Sequence, residues 1–365
     1  MLLVSIVGDF SSSLFPLYNE LKEDITHHIV VDDDAFSERK KHKQVIDGLQ
    51  KFNHDKNLSI TTEAFVIDED SQASIKKLVA KIKTIEPDIS QVYINITDGL
   101  ANIGLLLSIE LIEKGAKFLS YDMFENSYNI TDKSGMQNKS LTTSLTIKEH
   151  FELKGLIVEK KENKEFAHKY KREILELFNN YAHELELLNR DITQQKLLKT
   201  DKYPRAYQLV KAMKLDVLND APLITGGLFE CYVYLLIKDM PFDDIELGLI
   251  IKQPFNDAIQ IANEFDILLM KDNHLHMIEC KFRRKISKDE KLNLVYKYSA
   301  LMPLIDDDSQ IMILTHDSVY QHDLYDPENK GLNNHRRAFL NRIALRGSII
   351  NNKRAFLEEV ESLFL

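Results

Sequence analysis

The chain has 365 residues, with 47 Lys+Arg against 57 Asp+Glu, a formal net charge of −10 and 44% hydrophobic residues. That length predicts two or three domains with full cores, and 12 Gly with 8 Pro exclude collagen-like, low-complexity and largely disordered chains. The acidic balance argues against a protein coated in nucleic acid, but leaves room for one narrow basic groove.

The N-terminal MLLVSIVGDF lacks a basic region and a small-residue cleavage site, so it reads as a first strand and not as a signal peptide. Apolar windows never reach the ~18 residues of a membrane span. Cys231 and Cys280 cannot form a disulfide framework, and their spacing suits no zinc module. These readings predict a cytoplasmic protein with no membrane partner.

The first 125 residues alternate β-rich runs with amphipathic windows. LLVSIVGD precedes a helix near Pro16 to Lys22, and HHIVVDDD precedes one from Phe36 to Phe52. AFVID leads to a helix over Gln72 to Ile85, and VYINIT to one over Asn102 to Lys114 that stops at Gly115, before KFLSYD. Five strands separated by helices predict an α/β, Rossmann-like domain with a parallel sheet covered on both faces. Two segments then fall at strand C-terminal ends, where such sheets bind ligands. One holds Gly8, Asp9, Ser11, Ser12 and Ser13; the other holds Asn95, Thr97, Asp98, Gly99 and Asn102. Small residues, hydroxyls and a helix N-terminus make an anion site from backbone N–H groups. Neither segment is a G-x-G-x-x-G or Walker A motif.

Residues 126–150 read as a loop or boundary, with Asn, Ser, Thr and Gly clustered from Asn126 to Ser144. Lys161 to about Leu198 is charged and helical, and its Phe166, Tyr170, Ile174, Leu177 and Tyr181 recur at steps of three and four. This suits a packed helix, a linker helix or a helix at a dimer seam. From about Ala221 a helix, GLFECYVYLLIKD, leads into strands IELGLIIK, FDILLM and LHMIECK, a basic helix, QIMILT and C-terminal helices. A second α/β domain is predicted, giving divisions at 1–140, 141–220 and 221–365.

FDILLM and LHMIECK flank Lys271-Asp272-Asn273-His274. If Asp272-Asn273 is a two-residue hairpin turn, Lys271 pairs with His274, Leu268 with Met277, and Asp266 with Glu279. Alternation then brings Asp266, Glu279 and Lys281 to one face, with Phe265, Ile267, Leu269, Ile278 and Cys280 on the other. Like charges opposed across strands destabilise each other. A divalent cation with oxygen ligands, or a salt bridge to Lys281, compensates them. Glu230 is the sole acidic residue of LFECYVYLLI, so it is expected to be a buried carboxylate in need of such a partner.

Helix Glu, strand Asp, then Glu-x-Lys on the next strand resembles the PD-(D/E)xK restriction-endonuclease-like nucleases. The resemblance implies metal binding by Glu230, Asp266, Glu279 and the Cys280 backbone carbonyl, with Mg2+ or Mn2+ as cofactor, and Lys281 as the catalytic lysine. From Lys281 to Lys297 seven basic residues face Asp289 and Glu290, a local balance of +5. Arg283, Arg284, Lys285 and Lys297 are therefore candidate contacts to a nucleic-acid backbone, and Arg336, Arg337, Arg342 and Arg346 could extend the patch.

Asn95-Ile96-Thr97-Asp98-Gly99 resembles the N-x-T-G-G turn of CARF domains, sensors of cyclic oligoadenylates in type III CRISPR immunity. With LTIKEHFELKGL, the helical region, GGLFECYVY, NEFDILLM and IECK, nearly the whole chain is similar to a family of CRISPR ancillary nucleases, in which a CARF domain is fused to a PD-(D/E)xK domain. It departs from the family turn G-G-T-K with Asp98, Gly99, Leu100 and Ala101, losing a lysine and gaining a carboxylate. The resemblance implies a homodimer that encloses a cyclic oligoadenylate, the tetra-adenylate foremost, and then cleaves single-stranded DNA or RNA, or plasmid DNA. A constitutive restriction- or repair-type nuclease and a non-catalytic nucleic-acid-binding regulator are the alternatives.

Overall fold

A computed structural model describes residues 1–8, 11–33, 41–67, 72–97, 101–160, 162–196, 198, 200–254, 260–282, 293, 297, 301, 309–315, 345–349 and 353–365. Contacts divide the chain into two units: Met1–Val158 with Lys252–Ile261, and Glu159–Ile251 with Ala262–Leu365. No helix among the described residues is long and apolar enough to cross a membrane.

The N-terminal unit is built on seven strands: β1 (Leu2–Ile6), β2 (His27–Asp33), β3 (Thr61–Ile67), β4 (Val92–Asn95), β5 (Lys117–Asp122), β6 (Ser127–Asp132) and β7 (Gly135–Ser140). Helices α1 (Phe15–Leu21), α2 (Lys41–Asp55), α3 (Gln72–Ile85), α4 (Ala101–Leu111) and α5 (Ile147–Leu153) accompany them. The strand order is β3-β2-β1-β4-β5-β6-β7, parallel from β3 to β5. Alternating side chains feed two cores, as a sheet covered on both faces requires. Leu2, Val4 and Ile6 pack with Leu78, Ile82 and Leu107 of α3 and α4, whereas Leu3 packs with Phe15, Leu17, Val45 and Leu49 of α1 and α2. The helix after β4 ends through a 3-10 turn at Gly115, whose φ of +102° is the left-handed cap that glycine accepts.

The expected loop over 126–150 is corrected. Ser127–Asp132 and Gly135–Ser140 form an antiparallel hairpin that extends the sheet past β5. Their polar composition reflects position: β7 is an edge strand with every residue exposed, so it lacks the apolar alternation that marks a half-buried strand. Asp132 Oδ1 closes the turn by accepting from Ser134 N at 2.8 Å and Ser134 Oγ at 2.5 Å.

After the first unit come β8 (Ile157–Lys160), whose last two residues open the second unit, α6 (Asn163–Lys169), α7 (Lys171–Asn180), α8 (Ala182–Thr193), α9 (Pro204–Ala212) and α10 (Leu228–Ile237). β9 (Asp244–Pro254), β10 (Gln260–Lys271), β11 (His274–Lys281), β12 (Ile311–Thr315), β13 (Leu345–Ile349) and α11 (Lys353–Phe364) follow. Its sheet runs β13-β12-β11-β10-β9-β8. The charged run after Lys161 is three helices, broken at Tyr170 and Tyr181 where the backbone leaves helical angles. Ile174, Leu177, Leu185 and Leu188 share one core with Leu228, Phe229 and Val233 of α10, so this run packs within the unit and is no free-standing linker.

Candidate functional site

The β10–β11 hairpin turns on Asp272 and Asn273, with φ of 51° and 66°. Positive φ at both central residues is the two-residue turn whose twist matches paired strands, and Asp and Asn tolerate it better than other side chains. The turn sets the register: Lys271 pairs with His274, Met270 with Leu275, Leu268 with Met277 and Ile267 with Ile278. Alternation from there places Asp266, Glu279 and Lys281 on one face. Ile267, Leu269, Ile278 and Cys280 on the other face join the core with α10.

Asp266 and Glu279 are buried, at 9% and 2% exposure. Asp266 Oδ2 accepts from Cys280 N at 2.7 Å across the hairpin. Lys281 Nζ lies 2.5 Å from Glu279 Oε1, and Lys297 Nζ lies 3.2 and 3.3 Å from the two oxygens of Glu279. Burial and the Glu279 charge push the Asp266 carboxyl up to about 6, against the pull of Lys281, the Cys280 N–H and Lys297. Burial alone would lower Lys281, but Glu279 and Asp266 outweigh it and hold the ammonium charged. A buried carboxyl whose proton affinity is raised by an acidic neighbour, balanced by ammonium groups, is the kind of perturbed group that clusters at functional sites. Two hard oxygen donors beside a backbone carbonyl at Cys280 fit Mg2+ or Mn2+, which keep several waters and need few protein ligands.

Glu230 stands in the first turn of α10, after a single π-turn over Leu223–Gly227. It differs from the expected fully buried carboxylate: Glu230 is partly exposed, with its Oε2 sheltered from solvent. Its charge reaches the Cys280 thiol together with those of Asp266 and Glu279, so it borders the hairpin. Among the described residues, no three His, Cys, Asp or Glu side chains gather into a metal-binding group; the hairpin brings together the pair and its lysines. Burial and these acidic neighbours push the Cys280 thiol well up, which makes it a core residue and no nucleophile. The π-turn was not read from the sequence, although Gly226-Gly227 before an apolar helix is a usable signal. Arg283, Arg284, Lys285, Arg336, Arg337 and Arg342 lie outside the described residues. Arg346 is on β13, where only its backbone is described. His276 Nδ1 accepts from Gln310 N at 3.2 Å and its ring stacks on His274, a packing role.

In the N-terminal unit the chain runs outward from β1 through β2 to β3 and returns to place β4 beside β1, with Ser5 paired to Asn95. The strand order therefore reverses between β1 and β4, and the two candidate segments leave adjacent strand ends, the crevice where open α/β sheets bind ligands. Asn95 is fully buried; its Oδ1 accepts from Thr97 N at 3.0 Å and Thr97 Oγ1 at 2.6 Å. Thr97 Oγ1 in turn accepts from Tyr121 N at 2.9 Å. Asn95 and Thr97 thus shape the loop, and the Asn95 Nδ2 amide has no partner within the described residues. Asn102 Oδ1 accepts from Ile103 N at 2.9 Å on the exposed start of α4. Gly8 and Ser13 lie at the ends of the first segment, and Ser11 and Ser12 in its 3-10 turn. Asp9, Asp98, Gly99 and the side chains of Ser11 and Ser12 fall outside the described residues.

Residues 219–312 match the family model described as the Card1-like endonuclease domain. No curated protein matches the chain. Among solved structures, VC1899 from Vibrio cholerae is similar with a TM-score of 0.66 at 17% identity, over 95% of this chain and 93% of that one. Can2 from Sulfobacillus thermosulfidooxidans, solved in complex with cyclic tetra-adenylate, has a TM-score of 0.68 at 15% identity, over 99% and 98%. A type III CRISPR defence DNA nuclease activated by cyclic oligoadenylate has a TM-score of 0.52 at 12% identity, over 87% of this chain and 45% of that one. Residues 219–312 are therefore similar to the Card1-like endonuclease domain, within a chain that has the fold of Can2 and VC1899 over nearly its whole length.

Proposed function

We propose that the chain is a cyclic-oligoadenylate-activated, metal-dependent endonuclease of the PD-(D/E)xK type, acting in type III CRISPR defence on DNA, RNA or both. The observation that carries this reading is the placement of Asp266, Glu279 and Lys281 on one face of the β10–β11 hairpin, inside the segment that matches an endonuclease domain. Can2, in complex with cyclic tetra-adenylate, supports the activator, since its fold covers both units. Residues 1–140 act as the sensor, 141–220 as the helical region and 221–365 as the nuclease. The setting is cytoplasmic.

Asp266 and Glu279, with the Cys280 carbonyl, would hold Mg2+ or Mn2+, and Glu230 would border that site. Such an ion, when bound, would supply Lewis-acid stabilisation of phosphoryl oxygens and a water of lowered pKa. Lys281, kept charged by Glu279 and Asp266, orients the attacking water and offsets charge developing on the phosphate. Asp266 is held in place by the Cys280 N–H, so the hairpin register itself positions the acidic pair.

The crevice beside β1 and β4 is the activator site, where backbone N–H groups at the start of α4 face a phosphate. A two-fold symmetric ring suits an isologous dimer. Leu105 and Ile109 of α4 are 61% and 67% exposed, one turn apart on the helix that starts at this crevice, an apolar face for a second copy. The test is a pair of variants: Glu279→Ala and Lys281→Ala abolish cleavage while cyclic tetra-adenylate binding persists. Retained cleavage in both would remove the hairpin from the chemistry.

A further inference from the structure

Glu279 is almost fully buried, yet two ammonium groups converge on it: Lys281 at 2.5 Å and Lys297 at 3.2 and 3.3 Å. With Asp266, the four side chains carry two negative and two positive charges. A divalent cation entering among them would leave these four side chains and the ion with an excess of two positive charges centred on two buried carboxylates. Such an excess is unfavourable beside buried carboxylates, so cation binding favours withdrawal of one ammonium.

The geometry distinguishes the two lysines. Lys281 belongs to β11, two residues from Glu279, and is fixed on its face by strand alternation. Its side chain is 30% exposed, and Asp266 attracts it as well. Lys297 arrives from 18 residues further along the chain, is 40% exposed and makes the longer contacts. It spans both Glu279 oxygens, the position a cation takes on a carboxylate, and its long stem lets the ammonium swing into water.

We propose that Lys297 is a resident counter-cation, a positioning residue that competes with the divalent ion for Glu279 and withdraws when the ion binds. The inference rests on the metal-site reading of the hairpin. Displaced from Glu279, the same ammonium can pair with a substrate phosphate, so one side chain couples metal entry to substrate engagement.

The test is Mn2+ binding to the full chain without nucleic acid or activator, followed by the electron paramagnetic resonance of unbound Mn2+. Lys297→Gln is expected to bind Mn2+ about three- to fivefold more tightly than wild type, the worth of one half-exposed ion pair. Lys297→Arg keeps the charge and stays within about twofold of wild type on the same scale. Equal or weaker binding by Lys297→Gln overturns the proposal. A second measurement needs no variant: in the wild-type chain, amine labelling of Lys297 rises when Mn2+ is added, while that of Lys281 does not. Unchanged Lys297 labelling also overturns it. Glu279→Gln separates the two levels: if wild type binds no Mn2+ that Glu279→Gln removes, the metal-site reading itself fails.

Discussion

Asp266→Asn is expected to stabilise the metal-free protein while destroying its activity. The carboxyl of Asp266 is pushed from 3.8 up to about 6 by burial and by Glu279. At about 1.36 kcal/mol per unit, keeping it ionised at neutral pH costs roughly 3 kcal/mol of stability. Asparagine removes that penalty and still accepts from Cys280 N through its Oδ1, losing only the charge-assisted part of the 2.7 Å bond, about 1 kcal/mol. A net gain of about 2 kcal/mol follows, which raises Tm by about 4–8 °C for a unit of this size. The sign carries a pH signature. Because the folded pKa is raised, ionised Asp266 destabilises the fold increasingly as pH rises from about 4 to about 6. The advantage of Asp266→Asn is therefore absent near pH 4 and full above about pH 6. Thermal unfolding in EDTA across that range, beside a cleavage assay with Mn2+, reads both effects. A variant less stable than wild type at every pH would refute the argument that the pair is electrostatically strained for function.

The N-terminal unit yields a second pH prediction. His28 is fully buried against Ser5 Oγ at 2.9 Å and stacked on Tyr18, and burial pushes its imidazole from 6.5 down to about 3. Its contribution is fully present above pH 6.5 and is lost as pH falls toward 3, by up to about 5 kcal/mol; urea midpoints should fall over that window in wild type and less steeply in His28→Asn. Glutamates at Leu105 and Ile109 place charges on the exposed face of α4 and, on the proposed pairing through that face, should leave only monomer in light scattering where wild type gives a dimer, with unfolding shifted by no more than about 0.5 kcal/mol for surface sites. A dimer mass that persists in the variant, or a wild type that is itself monomeric, would refute the proposed pairing through α4.

The hairpin that carries the candidate site was legible because its determinants are local. The Asp272-Asn273 turn and the alternation of β10 and β11 are encoded within 16 residues, from Asp266 to Lys281, and they set which side chains share a face. α3 was legible to its ends because its apolar positions follow one helical period. The β6–β7 hairpin was not, since an exposed edge has no apolar stripe to read. Thr146-x-x-Glu149 forms a capping box on α5, a signal that the sequence itself carries. Other features are tertiary. Glu20 accepts from the backbone and hydroxyls of Thr142 and Thr143, about 120 residues away, and no local pattern announces it. Lys297 belongs to a basic run that suggests a solvated or substrate-facing stripe, and its contact with Glu279, 18 residues away, is tertiary.

The central claim is a nuclease that its ligand switches on. It is tested most directly by incubating the full chain with Mn2+ and single-stranded DNA, single-stranded RNA or supercoiled plasmid, with and without cyclic tetra-adenylate, beside Glu279→Ala. The account predicts cleavage only when the ligand is present, and none by Glu279→Ala. Equal cleavage with and without the ligand would contradict the gating and leave a constitutive nuclease.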